Sequence, residues 1–352
     1  MYQEQTNDAI ALLEQLIAIS SLSKEEKEIA DFLERFMEIN GYVTSRIGNN
    51  IWLVSPGFDS LRPTILLNSH IDTVKPVAGW TRNALLPTIE NGRLFGLGSN
   101  DAGASVVTLL FTYFHLTQKQ QHYNLIFAAS SEEEISGTNG IEMLLKELPN
   151  IDFAIVGEPT GMNLAIAEKG LMVLDCIVYG KAGHAARDEG ENAIYKSIPI
   201  IDWFKTHEFE KDSELLGAVK MSVTQINAGT QHNVIPDKCS FVVDVRSNEM
   251  YSNLEILELI RNKVDCDVQP RSTRLSSSLT PLNHSIVKRG LELNRTVFGS
   301  PTLSDQALMP FPSLKLGPGD SARSHTADEY ILIDEIGEAI DLYFQLLDGL
   351  KL

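Results

Sequence analysis

Apolar positions fall into two textures along the chain. In the opening segment Ile10, Leu13 and Ile17, then Ile29, Phe32, Leu33 and Phe36, recur at three- and four-residue spacing, which predicts amphipathic helix. From about residue 42 to residue 174 short apolar runs alternate with helical stretches, the clearest helix covering 104–116 and a second covering 140–148. Strands alternating with helices predict βαβ units and a largely parallel sheet. After Lys169-Gly170 the texture changes. Residues 171–178 alternate apolar and polar, 192–204 read as helix, 220–226 and 239–246 as strands, and 254–264 as helix. That order predicts a small sheet with helices on one face, a separate α+β module. A Ser-rich stretch at 272–279 reads as the return linker, followed by helix at 285–298, a Gly-rich turn at 316–319 and a closing amphipathic helix at 335–350. The domain expectation is therefore 1–170 with 279–352 as one body and 171–278 as another.

Length and composition agree with this division. A chain of 352 residues exceeds one ordinary core, and 43% hydrophobic with 22% charged residues describes a globular protein. Cys176, Cys239 and Cys266 are odd in number and form no C-x-x-C pair, so reduced thiols in a cytoplasmic protein are expected. The amino terminus lacks the basic start of a signal peptide, and no stretch reaches the ~18 apolar residues of a membrane span, so no membrane partner is expected. A net charge of −18 without a basic patch argues against a nucleic-acid partner.

Candidate chemistry sits where the apolar runs stop. Residues 64–69 run into His70-Ile71-Asp72, 125–131 into Glu132-Glu133-Glu134, and 153–157 into Glu158. In open α/β sheets ligands gather beyond the carboxyl ends of strands, so three such ends point to a metal site. Asp72, two residues after His70, shares its face on an extended strand and could hold the imidazole from behind, or cap the next turn. Asp101 follows Gly96-Leu97-Gly98 and precedes a helix, where a carboxylate also suits the helix dipole. The same glycines hint at a dinucleotide loop, but Asp101 occupies the third glycine position and would repel pyrophosphate. Adjacent carboxylates at Glu132–Glu134 are unfavourable unless a cation or a raised pKa relieves them. His325 lies in a Gly-rich loop beside Ser324 and Thr326. Two histidines and several carboxylates suit a pair of zinc or similar divalent ions, able to acidify water and polarise a carbonyl.

These segments together resemble the M20 metallopeptidases, nearest the acetylornithine deacetylase and succinyl-diaminopimelate desuccinylase branch. The likeness rests on Ser69-His70-Ile71-Asp72-Thr73-Val74, Gly96-Leu97-Gly98-Ser99-Asn100-Asp101, Ser131-Glu132-Glu133-Glu134, Gly157-Glu158-Pro159-Thr160, and Gly317-Pro318-Gly319 through His325-Thr326-Ala327-Asp328-Glu329-Tyr330. It implies a zinc-exopeptidase-like α/β fold, a mostly parallel sheet flanked by helices, with an inserted β-α-β-β-α-β lid and dimerisation domain. It implies two zinc ions, or cobalt, one on His70 and Glu158, the other on Glu134 and His325, with Asp101 bridging. Asp72 would orient His70 and Glu133 would be the general base, by matching Glu133-Glu134-Ile135-Ser136-Gly137 to the family's Glu-Glu pair. Lys181-Ala182-Gly183-His184-Ala185 resembles the lid segment whose histidine steadies the oxyanion, often from the partner subunit. Asn233 and Arg246 match lid positions that contact substrate, and a homodimer through the lid is implied. One departure is Asp101-Ala102-Gly103-Ala104, where many relatives carry Asp-Met-Lys-Gly.

The expected activity is removal of the acyl group from an N²-acylated amino acid, N-acetylornithine or N-succinylornithine first, in arginine biosynthesis. Within the same family, succinyl-diaminopimelate desuccinylase, dipeptidase and aminoacylase are the alternatives. A metal-deficient binding or scaffold protein is the alternative from another class. Serine and thiol hydrolysis are disfavoured, because no G-x-S-x-G elbow is present.

Overall fold

The computed structural model describes residues 2–187 and 189–352 and divides them into two compact units. The first comprises Met1–Ile166, Leu279–Phe298 and Ser304–Leu352, the second Ala167–Ser278 with Gly299–Leu303. The short piece Gly299–Leu303 lies outside the boundary drawn from sequence. It joins the second unit because the Lys169 amide donates to the Ser300 carbonyl (3.1 Å).

The first unit is built on a nine-stranded mixed sheet. Its centre is parallel: Thr64–His70 lies between Asn124–Ser130 and Phe153–Val156, and Ser313–Lys315 continues beside the latter. The margins are antiparallel, with Thr44–Ile47 and Asn50–Val54 on one side and Leu164–Glu168 on the other. Every residue of Thr64–His70 and Asn124–Ser130 is buried, which explains why these strands read as unbroken apolar runs. The helix Ala104–Leu116 is almost wholly buried, packed against Tyr2–Ile17, Ile333–Leu347 and the sheet. It has the expected bounds.

Two helices are shorter than periodicity suggests. The stretch 140–148 is helical only over Ile141–Leu144. The stretch 285–298 is helical over Ser285–Glu292 and then becomes the strand Val297–Ser300. Asn294 takes a positive φ of 60° between them, which ends the helix and turns the chain. The closing helix runs Ile333–Leu347.

The second unit is an antiparallel four-stranded sheet in the order Lys220–Ala228, Lys238–Arg246, Met172–Tyr179, Asp267–Pro270. Helices Ala193–Thr206 and Asn253–Lys263 cover one face, their apolar residues meeting Met172, Leu174, Phe241 and Val243 in a core of its own. Ser252 caps the second helix in a reciprocal box with Glu255. No helix among the described residues is long and apolar enough to cross a membrane.

Candidate metal centre

Strand register brings the first candidate ligands level. Asn68 stands opposite both Ala128 and Val156, so two residues further on His70, Ser130 and Glu158 emerge together at the carboxyl edge. Ser69 Oγ donates to the Gly157 carbonyl (2.9 Å), tying the segment that carries Glu158 to the one that carries His70. Asp101 arrives from a tight turn, Ser99–Gly103, that opens the buried helix. Gly98 at its start has a φ of 75°, and a Cβ there would lie 2.7 Å from Thr73 Cγ2, so only glycine fits. Glu132 and Ser136, both left-handed, frame the short turn Glu133–Ile135. His325 enters from the loop after Asp320–Ser324 with a φ of 58°.

The seven residues expected in the first unit converge. His70 Nε2 lies 3.2 Å from Asp101 Oδ1, 3.9 Å from Glu158 Oε1 and 4.0 Å from Glu133 Oε2. His325 Nε2 lies 3.0 Å from Glu134 Oε2 and 3.7 Å from Asp101 Oδ2. Two groups of three donors result: His70, Asp101 and Glu158; and Asp101, Glu134 and His325, with the donor atoms of each group within 4.8 Å of one another. Asp101 belongs to both, offering one oxygen to each histidine. Glu133 stands beside them and belongs to neither.

Asp72 faces the His70 ring with two of its oxygens. The main-chain carbonyl of Asp72, at 2.9 Å, is what faces His70 Nδ1, while its carboxylate is 3.5 Å away. A carbonyl only accepts, so Nδ1 carries a proton, and Nε2 is the nitrogen aimed at the cluster, where a cation would take its lone pair. The carboxylate also takes the Glu133 amide on Oδ1 (3.0 Å), and the Glu134 amide (3.1 Å) and the Ser23 hydroxyl (2.7 Å) on Oδ2.

Like charges crowded under cover need relief. Burial, then the negative Asp101, pushes Glu158 up to about 8. Burial, with Glu158, Asp305 and Glu134 adding to it, pushes Glu133 well above the usual carboxylate range. Burial alone would depress His70, but hydrogen bonds to Asp101 and Asp72 and the surrounding carboxylates outweigh it and hold it well above its ordinary value. The hydrogen bond to Glu134 raises His325 to about 9. Bare, the cluster retains protons that cations would replace. Glu158 Oε1 is moreover buried without a hydrogen-bond partner, which fits a donor awaiting an ion. The oxygen and imidazole donor set suits zinc and its neighbours, so these residues fit a two-cation centre.

Several supporting residues gave no local signal in the sequence. Asp305, buried, accepts from Asn68 (2.8 Å) and Ser130 (2.6 Å) beneath the strand ends, and burial raises it to about 6. Buried Glu26 accepts the Glu132 amide (3.2 Å) and holds the acidic turn from the other side. Glu329 is buried under the Asp101 turn.

The remaining three expected residues lie in the second unit. His184 is exposed and pairs in register with Val234; its Nδ1 accepts the Ala186 amide (3.1 Å), which leaves Nε2 to carry the proton. The Asn233 carbonyl accepts the Ala185 amide (3.0 Å), and its side chain is exposed. Arg246 is clamped by Asp244 through Nε (2.8 Å) and Nη2 (3.1 Å), so Nη1 is the edge left for another carboxylate.

A partly buried cluster of carboxylates and imidazoles at the carboxyl edge of a mixed α/β sheet is the arrangement that suits a metal-dependent hydrolase. Residues 66–349 match the peptidase family M20/M25/M40, and the chain belongs to that family. A Mycobacterium tuberculosis protein provisionally named succinyl-diaminopimelate desuccinylase is 30% identical over 97% of this chain and 98% of its own. The succinyl-diaminopimelate desuccinylase of Corynebacterium glutamicum is 27% identical over 97% and 96%. A [LysW]-lysine/[LysW]-ornithine hydrolase of Sulfurisphaera tokodaii is 25% identical over 97% and 95%. Among solved structures, aminopeptidase PepT of Bacillus cereus shares the fold with a TM-score of 0.78 at 19% identity, covering 97% of this chain and 98% of that one. The Bacillus subtilis YxeP protein, described as a dinuclear metal binding peptidase from the M20 family, has a TM-score of 0.74 at 16% identity, covering 98% of each. The chain is thus a metal-dependent hydrolase of amide bonds.

Proposed function

We propose that this hydrolase removes the succinyl group from an N-succinyl diamino acid, with N-succinyl-diaminopimelate as the leading substrate. The names of the Mycobacterium and Corynebacterium relatives support that substrate class. The observation that carries the chemistry is Asp101, which presents Oδ1 to His70 and Oδ2 to His325. Two divalent cations, zinc first and cobalt as the alternative, would be held by His70, Asp101 and Glu158 and by Asp101, Glu134 and His325. When bound they acidify water and polarise the amide carbonyl.

The chain's own residues do the rest. Asp72 fixes the His70 tautomer through its carbonyl and holds the Glu133–Glu134 turn through its carboxylate. Glu133 accepts a proton from the attacking water as the new C–O bond forms, and returns it to the amine nitrogen as the C–N bond breaks. Burial raises the Glu133 carboxyl above the usual carboxylate range, which makes its ionised form the stronger base. His184 would offer its Nε2–H to the developing oxyanion, from the same chain or from a partner subunit. Arg246 and Asn233 would receive a substrate carboxylate, the free Nη1 edge of Arg246 being the suited donor. A homodimer through the second unit and a cytoplasmic location belong to the same proposal.

N-acetylornithine and N-succinylornithine form the second reading, favoured by the match to an enzyme named for [LysW]-ornithine hydrolysis. Turnover of zinc-loaded protein on N-succinyl-diaminopimelate, N-succinylornithine, N-acetylornithine and a plain dipeptide separates the readings. The proposal expects the highest kcat/KM on the first. A preference for N-acetylornithine would replace it, and a preference for the dipeptide would move the chain among the peptidases.

A further inference from the structure

Glu329 lies four residues past His325 and is 2% exposed. Its Oε1 accepts the amides of Asn100 (2.8 Å) and Asp101 (2.9 Å), and its Oε2 accepts the amide of Gly98 (3.1 Å). Its main-chain carbonyl takes a fourth, the Gly96 amide (3.0 Å). One buried carboxylate therefore satisfies three N–H groups of the turn that presents Asp101, those of Gly98, Asn100 and Asp101. Charge-assisted bonds of this kind offset part of the cost of burying a carboxylate.

The same turn reaches the other histidine. Asn100 is fully buried; its Oδ1 accepts the Asp320 amide (3.1 Å), and its Nδ2 donates to the Asp320 carbonyl (3.1 Å) and to Ser324 Oγ (3.2 Å). These contacts fix the segment that leads directly into His325.

We propose that Glu329 is a positioning residue that sets the place of Asp101 and, through Asn100, the approach of His325, so that both donor groups stand ready before any cation arrives. This rests on the two-cation reading above. Outer partners of metal ligands commonly govern affinity by about 10- to 100-fold.

Glu329→Gln keeps the side chain's size but turns an N–H₂ group toward one of the three amides. Zinc affinity is read by competition with a chromophoric chelator, alongside the thermal midpoint of the metal-free protein. The proposal expects both zinc affinities to fall by about 10- to 100-fold. Both affinities at the wild-type value would overturn it. So would affinities that fall only in step with a general loss of fold in the thermal midpoint. Should the variant not fold, amide exchange in metal-free wild-type protein carries the test: slow exchange at Gly98, Asn100 and Asp101 is expected, and rapid exchange there overturns the proposal. If wild-type protein bound no pair of ions, the parent reading would fall. If it bound the pair and Glu329→Gln bound it equally well, only this inference would.

Discussion

Asp72 offers a sharp test of how the acidic turn is held, because its carboxylate takes three donors at once: Ser23 Oγ, and the amides of Glu133 and Glu134. Asp72→Ala leaves both amides without an acceptor in a half-buried turn. Each orphaned donor costs about 1–3 kcal/mol, and at the low end suited to partial exposure the sum is about 2–4 kcal/mol. Asp72→Asn keeps one oxygen. The Ser23 hydroxyl can rotate to accept from the new N–H₂, and a single amide loses its partner, so about 1–2 kcal/mol is expected. Urea denaturation of metal-free protein, followed by tryptophan fluorescence, reads the difference. Trp52 and Trp80 lie in the first unit and Trp203 in the second, so a Trp203→Phe background isolates the relevant transition. Midpoints unchanged in both variants would refute the clamp. An asparagine variant as costly as the alanine one would also refute the amide accounting and leave charge itself as the cause.

Glu133→Gln should lower kcat by about 10²- to 10⁴-fold while leaving zinc stoichiometry unchanged, since Glu133 belongs to neither donor group; near-normal turnover would remove it from the mechanism. Stability of the chelated protein should fall as pH rises from about 5 to about 8.5. Burial and neighbouring charge hold Glu158 up to about 8 against an ordinary 4.5, so its folded form binds extra protons whose stabilising effect is lost as pH climbs through that value. Raised His70 contributes with the same sign above its ordinary 6.5, whereas the lowered Asp72 and Asp101 act only below 3.8. Zinc replaces those protons, so the loaded protein should show a much flatter thermal profile; parallel profiles would contradict the clustering of charge. Light scattering should return twice the 39.0 kDa chain mass if the second unit dimerises, and a species of 39.0 kDa would refute the dimer.

The candidate ligands at strand ends are legible in the sequence because buried parallel strands leave a plain trace. Thr64–His70 and Asn124–Ser130 are covered on both faces, so their runs are apolar without alternation and their ends stand out as the first polar residues. Asp101, Glu134 and His325 take their expected roles from the family likeness, since a lone carboxylate before a helix or a histidine in a loop has ordinary explanations. What holds the ligands was not legible. Ser23, Glu26, Asp305 and Glu329 act on residues 49, 106, 237 and 231 positions away respectively, and no periodicity carries such pairings. The helix expected over 285–298 failed because apolar spacing continues through Val297 and Phe298 while Asn294 reverses the backbone and the chain joins the sheet. Spacing puts Asp72 beside His70 but does not say which of its oxygens lies nearest the ring.

Asp101 stands between the two histidines, where it would serve two cations at once. Zinc content per chain, measured on metal-saturated wild type and on Asp101→Ala after gel filtration, bears on it with the fewest intermediaries. Two ions per wild-type chain and at most one in the variant are predicted. Fewer than two in wild type, or two retained without Asp101, would contradict it.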